Sequence, residues 1–275
     1  MSISIRPLSP SIAAEAVGFD PRNFTDEDLQ ALKQAWQEHL VMLIRPGCIL
    51  TDDEFVAFMS RMGQIENARK LSPLATRQEI MIISNIRQNG ELVGALPDGE
   101  LSFHFDRVHQ KKPLRGAALH AIEIPDHGGD TCFANMIKAY ETLPEEIQKK
   151  VDGRMALNTY DYQATSTDVK VVNQDAQTAI HPVVRTIPET GKKSLFVSRL
   201  MTDQIIGLPE EESRKLLNLI SDHCEKPEFI YQHKWQVGDI LMWDNRCSTH
   251  ARMDFDGSQR RLMKRVALAD PVAPQ

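Results

Sequence analysis

Short apolar or alternating stretches, separated by turn residues, occupy most of the chain and predict many short β-strands. These predicted strands are 2–5, 40–44, 80–83, 101–106, 117–124, 131–133, 181–186, 194–197, 229–235, 240–244 and 261–270. Asn89 and Gly90 have the composition of a two-residue hairpin turn. Residues 158–179 carry no clear pattern, so we expect a long loop there that is functional or mobile.

Helical spacing of apolar residues predicts a smaller number of helices, which are 25–40, 51–62, 137–140, 144–151 and 209–224. Thr25 and Thr51 each precede an acidic first turn, the composition of a helix N-cap. Many short strands with helices gathered toward one half predict an α+β fold that is mainly β, a double-stranded β-helix (jelly roll) with flanking helices. We expect one domain over residues 1–275.

The composition of the chain argues against some classes of binding partner. Its 275 residues are 41% hydrophobic and 25% charged, with a net charge of -6 and a pI near 5.9. The sequence shows no basic tract, which argues against nucleic acid, and no apolar run near the ~20 residues of a membrane span. The first ten residues lack the apolar core of a signal peptide, and the four cysteines form no C-x-x-C pair. We therefore expect a cytoplasmic protein with free thiols.

His104 and Asp106 are the first candidates for chemistry. On a strand, residues i and i+2 point to the same side, so both side chains can reach one point, with Phe103 and Phe105 on the opposite face. A distant histidine, His250, would complete two histidines and a carboxylate, the ligand set of non-haem Fe(II) oxygenases. The same set also serves zinc hydrolases, and an H-x-D pair arises by chance in many chains. Residues 243–245 are interpreted as one core position, Trp243, and two turn formers, Asp244 and Asn245.

Several segments together make the chain resemble the taurine dioxygenase/2,4-dichlorophenoxyacetate dioxygenase family of Fe(II)- and 2-oxoglutarate-dependent enzymes. The resemblance covers nearly the whole chain, and the matching segments are 104–106, 128–131, 181–186, 238–246 and 260–265. It implies that the iron ligands are His104, Asp106 and His250. It also implies that Thr131 and Arg261 bind the distal carboxylate of 2-oxoglutarate, and that Arg265 binds an anionic prime substrate.

Physical chemistry agrees with the roles implied for the two arginines. A dicarboxylate needs a planar, always-charged fork, which arginine provides. Arg261 and Arg265 are four residues apart, so on a strand both would point into the barrel. Without the family spacing, a solvated basic strand end would be the simpler interpretation.

The resemblance implies an activity that uses Fe(II), 2-oxoglutarate and O2. The expected reaction hydroxylates an unactivated C–H bond of a small carboxylate or sulfonate, and converts 2-oxoglutarate to succinate and CO2. Relatives are often oligomeric, so we expect a homo-oligomer. Relatives have Trp and a small residue where this chain has Phe103 and Phe105, and Arg107 follows the pair, so we expect an altered pocket wall. A non-catalytic jelly-roll protein that binds a metal or ligand, and a zinc hydrolase, stay open as alternatives.

Overall fold

The computed structural model describes residues 3–68, 71–96, 99–160 and 177–275, and this part of the chain is mainly β-structure. Its strands are β1 Ser4–Pro7, β2 Ala14–Val17, β3 Val41–Ile44, β4 Ile65–Glu66, β5 Ile80–Ser84, β6 Arg87–Gln88, β7 Glu91–Leu92, β8 Leu101–His104, β9 Leu114–Glu123, β10 Thr131–Asn135, β11 Met155–Tyr160, β12 Gln177–Pro182, β13 Val184–Thr186, β14 Lys193–Leu195, β15 Thr202–Ile205, β16 Ile230–His233, β17 Ile240–Asp244, β18 Ser248–Arg252 and β19 Leu262–Ala269. Its α-helices are α1 Asp26–His39, α2 Asp52–Met62, α3 Met136–Glu141, α4 Glu145–Val151 and α5 Glu210–Cys224.

Two sheets carry the architecture. The larger has the order β1-β2-β3-β17-β9-β19-β4, with β5 also paired to β19, and the smaller has the order β16-β10-β18-β8. All pairings within them are antiparallel except β2 with β3. Non-consecutive neighbours in both orders mean that distant parts of the chain meet side by side. This topology brings β8 and β18, which carry the first and last candidate ligands, into contact.

The alternation of side chains on the larger sheet separates two apolar layers. Met42 and Met242 pack with helices α1 and α2 on the outer face, whereas Leu43 and Trp243 lie in the layer between the sheets. Phe133 of the smaller sheet joins that inner layer, with its ring centroid 5.7 Å from that of Trp243. The two sheets therefore pack face to face, and odd-numbered positions of β17 point toward the smaller sheet.

The helix starts confirm the predictions made from the two threonines. Thr25 and Thr51 both form capping boxes, in which the threonine accepts from the third helical N–H and the acidic side chain there accepts from the threonine N–H. The Asn89–Gly90 hairpin is also confirmed, since both residues have positive φ, 51° and 86°, between β6 and β7. Local chemistry decides these features, and local sequence predicts them.

Several predicted elements differ from those in the structure. The segment 181–186 is not one strand, because Val183 leaves the ladder and its N–H bonds to the Arg154 carbonyl at 2.9 Å. The predicted loop 158–179 is strand at both ends, where β11 pairs with β12, and residues 161–176 lie outside the described part. Strand β2, with the sequence AEAV, was not predicted because alanine and glutamate have weak strand preference.

Candidate active site

The two candidate histidines face each other across neighbouring strands. His250 of β18 lies opposite His104 of β8 in the antiparallel register, and their ring centroids are 4.1 Å apart. Asp106 lies two residues beyond the end of β8, and its Oδ2 is 3.9 Å from His250 Nε2. One ligand atom from each of the three residues lies within 4.8 Å of the others. The pair was predicted to share a strand; the strand in fact ends at His104, yet the three side chains converge.

A turn after the strand holds Asp106 in place. The Asp106 N–H donates to Asn245 Oδ1 at 2.7 Å, and Asn245 Nδ2 donates back to the Asp106 carbonyl at 3.1 Å. Arg107 has a left-handed φ of 55° and forms an ion pair with Glu66 of β4. Asn245 is therefore more than a turn former: it fixes the backbone of a ligand 139 residues away. No local pattern pairs Asn245 with Asp106, so sequence reasoning missed this role.

The protonation states of the three side chains suit a divalent metal. Burial lowers the pKa of His104, and burial together with His104 lowers the pKa of His250 to about 3, so both rings are neutral at pH 7. Burial opposes ionisation of Asp106, but Arg265 and the two histidines hold the pKa of that carboxyl well below its usual range. His104 Nδ1 lies 2.9 Å from the Ser102 carbonyl, which makes Nδ1 the donor and leaves the Nε2 lone pair free. Neutral imidazoles and an ionised carboxylate are the donor states that metal binding requires.

Arg265 of β19 lies directly beside this triad. Its Nη2 is 2.7 Å from Asp106 Oδ2, the same oxygen that faces His250. The contact has the distance of an ion pair but not the angle of a hydrogen bond. Arg265 therefore contributes positive charge directly beside the candidate metal position.

One cavity of about 330 Å³ brings together all six residues that the family resemblance marked, His104, Asp106, Thr131, His250, Arg261 and Arg265. Much of its remaining wall is apolar and includes Met81, Ile83, Leu96, Leu119 and Met201. His109 and Tyr160 also line the cavity, with stacked rings whose centroids are 5.0 Å apart. A mostly apolar pocket with a few convergent polar groups is the usual form of a small-molecule site.

The expected effect of Phe103 and Phe105 on this cavity is wrong. Both belong to a separate apolar cluster on the other side of β8, and the Phe105 ring lies 4.5 Å from that of Phe196. Neither phenylalanine lines the cavity, whereas Arg107 does. Alternation within β8 turns His104 inward and Phe103 outward, as the sequence predicted. Phe105, which follows the end of the strand, packs into the same separate cluster, so neither ring alters the wall.

Arg261 is a buried cation without a counter-charge. It is 2% exposed, and among the described residues no carboxylate lies within 4.0 Å of its guanidinium. Its Nη2 makes a long contact of 3.4 Å to the Gly129 carbonyl, and its Nε has no hydrogen-bond partner in the described segments. Burial and the nearby Arg252 lower the pKa of Arg261 to about 9, so it is still charged at pH 7. An unpaired buried charge is costly, so this position favours an anionic ligand.

Arg252 is a further arginine of the cavity and was not predicted. It follows His250 by two residues on β18, so it points to the same side of the sheet. Its guanidinium donates to the Leu96 carbonyl at 2.6 Å and to the Gly99 carbonyl at 2.7 Å. Arg252 thus ties the strand of the last ligand to the segment that precedes the first.

Comparison with known proteins gives this geometry a family. Residues 4–267 match the family described as taurine catabolism dioxygenase TauD, TfdA family. The chain belongs to this family. It is 32% identical over 288 residues to the alpha-ketoglutarate-dependent 2,4-dichlorophenoxyacetate dioxygenase of Cupriavidus pinatubonensis, covering 98% of this chain and 99% of the relative. It is 30% identical over 294 residues to pentalenolactone F synthase of Streptomyces arenae, covering 99% and 98%.

A solved structure supports the same assignment. AAD-2 in complex with Mn(II) and N-oxalylglycine superposes with a TM-score of 0.85 at 26% identity, covering 99% of each chain. As a member of the TauD/TfdA family, the chain is an oxidoreductase that uses Fe(II), 2-oxoglutarate and O2. The family does not support a non-catalytic binding protein. Among the described residues, no helix is both long enough and apolar enough to cross a membrane.

Proposed function

We propose that residues 1–275 form one jelly-roll (double-stranded β-helix) domain that hydroxylates an unactivated C–H bond of a small anionic substrate. In this proposal His104, Asp106 and His250 hold Fe(II). Thr131 and Arg261 bind the distal carboxylate of 2-oxoglutarate. The observation that carries the proposal is the position of a buried, unpaired guanidinium in the same cavity as three converging metal donors, two of them buried histidines.

Bound iron and 2-oxoglutarate would supply the oxygen activation, and 2-oxoglutarate would be converted to succinate and CO2. The protein supplies position and electrostatics. Asn245 holds the backbone of Asp106, and the Ser102 carbonyl holds the ring orientation of His104. Arg261 supplies the charge that selects a dicarboxylate. The apolar wall keeps water from the carbon that reacts.

The cavity favours a substrate with an apolar body and one anionic group. Its wall near Met81, Leu119 and Met201 is apolar, and Arg265 stands beside the triad with its guanidinium directed at the cavity. The relative from Cupriavidus pinatubonensis is named for 2,4-dichlorophenoxyacetate, an apolar ring that carries a carboxylate. We propose that Arg265 exchanges part of its contact with Asp106 for the anion of the prime substrate.

The metal assignment is tested by His250→Ala, with His223→Ala as the matched control. His223 is a half-buried histidine of α5 that bonds to the Ala139 carbonyl at 3.0 Å, outside the cavity. We expect His250→Ala to lose most Fe(II) binding and succinate formation, and His223→Ala to keep both. Equal iron content in the two purified variants would rule out His250 as a ligand.

The substrate class is tested by a screen of small carboxylates, sulfonates and sulfate esters for stimulated succinate formation. For the best substrate, Arg265→Ala should raise KM by roughly 30-fold or more, since an anion loses its partner in a desolvated pocket. Arg265→Lys should recover only part, because a point charge replaces a planar fork. A best substrate with no anionic group would exclude this role for Arg265.

The proposal also includes a cytoplasmic location and self-association. The sequence composition motivates the cytoplasmic location, and family relatives motivate the self-association. Light scattering on the purified protein would test the homo-oligomer directly, and a monomer at all concentrations would contradict it.

A further inference from the structure

The hydroxyl of Thr131 is already engaged on one side by a tryptophan. Trp235 Nε1 lies 3.0 Å from Thr131 Oγ1, and both residues are buried. An indole N–H can only donate, whereas a hydroxyl offers one proton and two lone pairs. Trp235 therefore occupies a lone pair of Thr131, and the threonine proton must point elsewhere. Thr131 lines the cavity together with Arg261, so a hydroxyl proton that points into the cavity can be donated to a ligand there.

Trp235 is itself held by a chain of contacts behind the cavity. The His233 ring meets its indole edge-on at 90°, with centroids 4.6 Å apart. His233 Nε2 lies 3.0 Å from Asp239 Oδ2, and the Tyr231 hydroxyl lies 2.9 Å from His233 Nδ1. Although burial opposes ionisation of Asp239, hydrogen bonds from His233 and Arg45 hold its pKa below the usual value. These contacts leave the indole little freedom to turn away from Thr131.

The other two tryptophans show that this hydrogen bond is specific. Trp36 and Trp243 are at least as buried as Trp235, yet their Nε1 atoms have no hydrogen-bond partner within the part of the chain that the structure describes. Burial of an indole in this fold therefore does not by itself provide a hydrogen-bond acceptor for its N–H. The bond to Thr131 arises where β10 and β16 pair with Thr131 opposite His233, which places Trp235 two residues beyond the pairing.

We propose that Trp235 is a positioning residue for the cosubstrate. By donating to Thr131 Oγ1, it orients the threonine hydroxyl as a donor toward the distal carboxylate of 2-oxoglutarate, beside the guanidinium of Arg261. The inference rests on the proposed function, in which Thr131 and Arg261 bind that carboxylate. Without the indole donor, the hydroxyl can rotate and present a lone pair to an anion, which is unfavourable.

The test uses the affinity for 2-oxoglutarate, measured anaerobically by the visible charge-transfer band with Fe(II). Trp235→Phe removes the donor and keeps a ring in the wall. This matters because Trp235 also borders a second cavity of about 230 Å³ behind Arg261, which a smaller residue would open. We expect roughly three- to tenfold weaker binding, the range for the net contribution of one typical hydrogen bond. Trp36→Phe is the matched control and should leave the affinity unchanged.

A double-mutant cycle separates positioning from general support. Thr131→Val should also weaken binding, and Trp235→Phe should add almost nothing in the Thr131→Val background, because the group it orients is gone. A second readout needs no cosubstrate: the indole N–H resonance of Trp235, assigned through Trp235→Phe, should shift in Thr131→Val and exchange faster with solvent.

The outcomes distinguish this inference from the proposed function. If Thr131→Val and Arg261→Ala weaken 2-oxoglutarate binding but Trp235→Phe does not, the inference alone fails. Fully additive effects of Thr131→Val and Trp235→Phe would also overturn it, because they would show a merely structural role. If neither Thr131→Val nor Arg261→Ala changes the affinity, the cosubstrate assignment fails and the inference fails with it.

Discussion

Two arginines of this fold are equally buried but have opposite charge surroundings. Arg246 and Arg261 are each 2% exposed. Arg246, at the turn after β17, donates to both oxygens of Asp244 at 2.9 and 2.7 Å and to Glu189 at 2.9 Å. Arg261, just before β19, faces no carboxylate among the described residues. The comparison separates a cation that the fold has balanced with carboxylates from one that has no carboxylate beside it in the described part of the chain.

The pKa directions express the same contrast. Burial opposes the charge of Arg246, but Asp244 and Glu189 raise its pKa above the usual value. Burial and Arg252 instead lower the pKa of Arg261. A balanced buried cation supports the native structure, whereas an unbalanced one destabilises it until an anion binds. Loss of Arg246 should therefore destabilise the protein, whereas loss of Arg261 should stabilise the unliganded protein and weaken the binding of an anion.

The largest expected effect on stability is that of Arg246→Met. The change leaves the buried Asp244 carboxylate without its bidentate partner, which should cost about 3–5 kcal/mol of unfolding free energy. Urea denaturation measures the loss, and Arg260→Met is the control, because Arg260 pairs with Glu123 in an exposed position. The control should change stability by less than about 1 kcal/mol. Similar small losses of unfolding free energy in Arg246→Met and Arg260→Met would show that the buried ion pairs of Arg246 contribute no more than an exposed pair.

The largest expected effect on binding is that of Arg261→Met. Loss of a charge partner in a desolvated site should cost about 2–5 kcal/mol, or roughly 30-fold or more in 2-oxoglutarate affinity. Arg261→Lys should restore only part, since lysine lacks the planar fork. The measurement is titration of the anaerobic Fe(II) enzyme, with Arg260→Met again as control. An unchanged dissociation constant would exclude Arg261 from the cosubstrate site.

Although Arg261→Met should weaken cosubstrate binding, it should stabilise the protein that has no cosubstrate bound. Without 2-oxoglutarate, Arg261→Met removes an unpaired buried charge and should raise the unfolding free energy by about 1–2 kcal/mol. Added 2-oxoglutarate with metal should stabilise the wild type more than the variant. Thermal unfolding with and without both additions gives the result. A less stable variant in the absence of cosubstrate would mean that Arg261 is balanced after all.

The smallest effect concerns Glu189, the half-exposed partner of Arg246. Burial alone would raise its pKa, but Arg246 holds the pKa of Glu189 below the usual value. The folded state therefore binds fewer protons there than the unfolded state, so the stabilisation is present above the ordinary pKa and is lost as the pH falls. Glu189→Gln should cost no more than about 1 kcal/mol at pH 7. The difference between variant and wild type should vanish in acid, and a constant difference over the whole range would contradict the ion pair.

The sequence by itself determined the local features and marked the candidate metal donors. Capping boxes at Thr25 and Thr51 and the hairpin at Asn89 follow from side chains that bond to their own neighbours. The inward direction of His104 and the outward direction of Phe103 follow from strand alternation. Family segments of the chain marked the six cavity residues, because their order and spacing survive in the primary structure.

Only the tertiary structure decided how those residues are supported. Asn245 bonds to Asp106 across 139 residues, Trp235 bonds to Thr131 across 104, and Arg252 reaches back 153 residues to Gly99. Each contact depends on which strands become neighbours. The charge balance of Arg261 is equally non-local, since it is set by the carboxylates that the fold brings near, or keeps away. A linear pattern records residue types and spacing, but electrostatics and hydrogen bonding depend on distances that arise only when the sheets pack together.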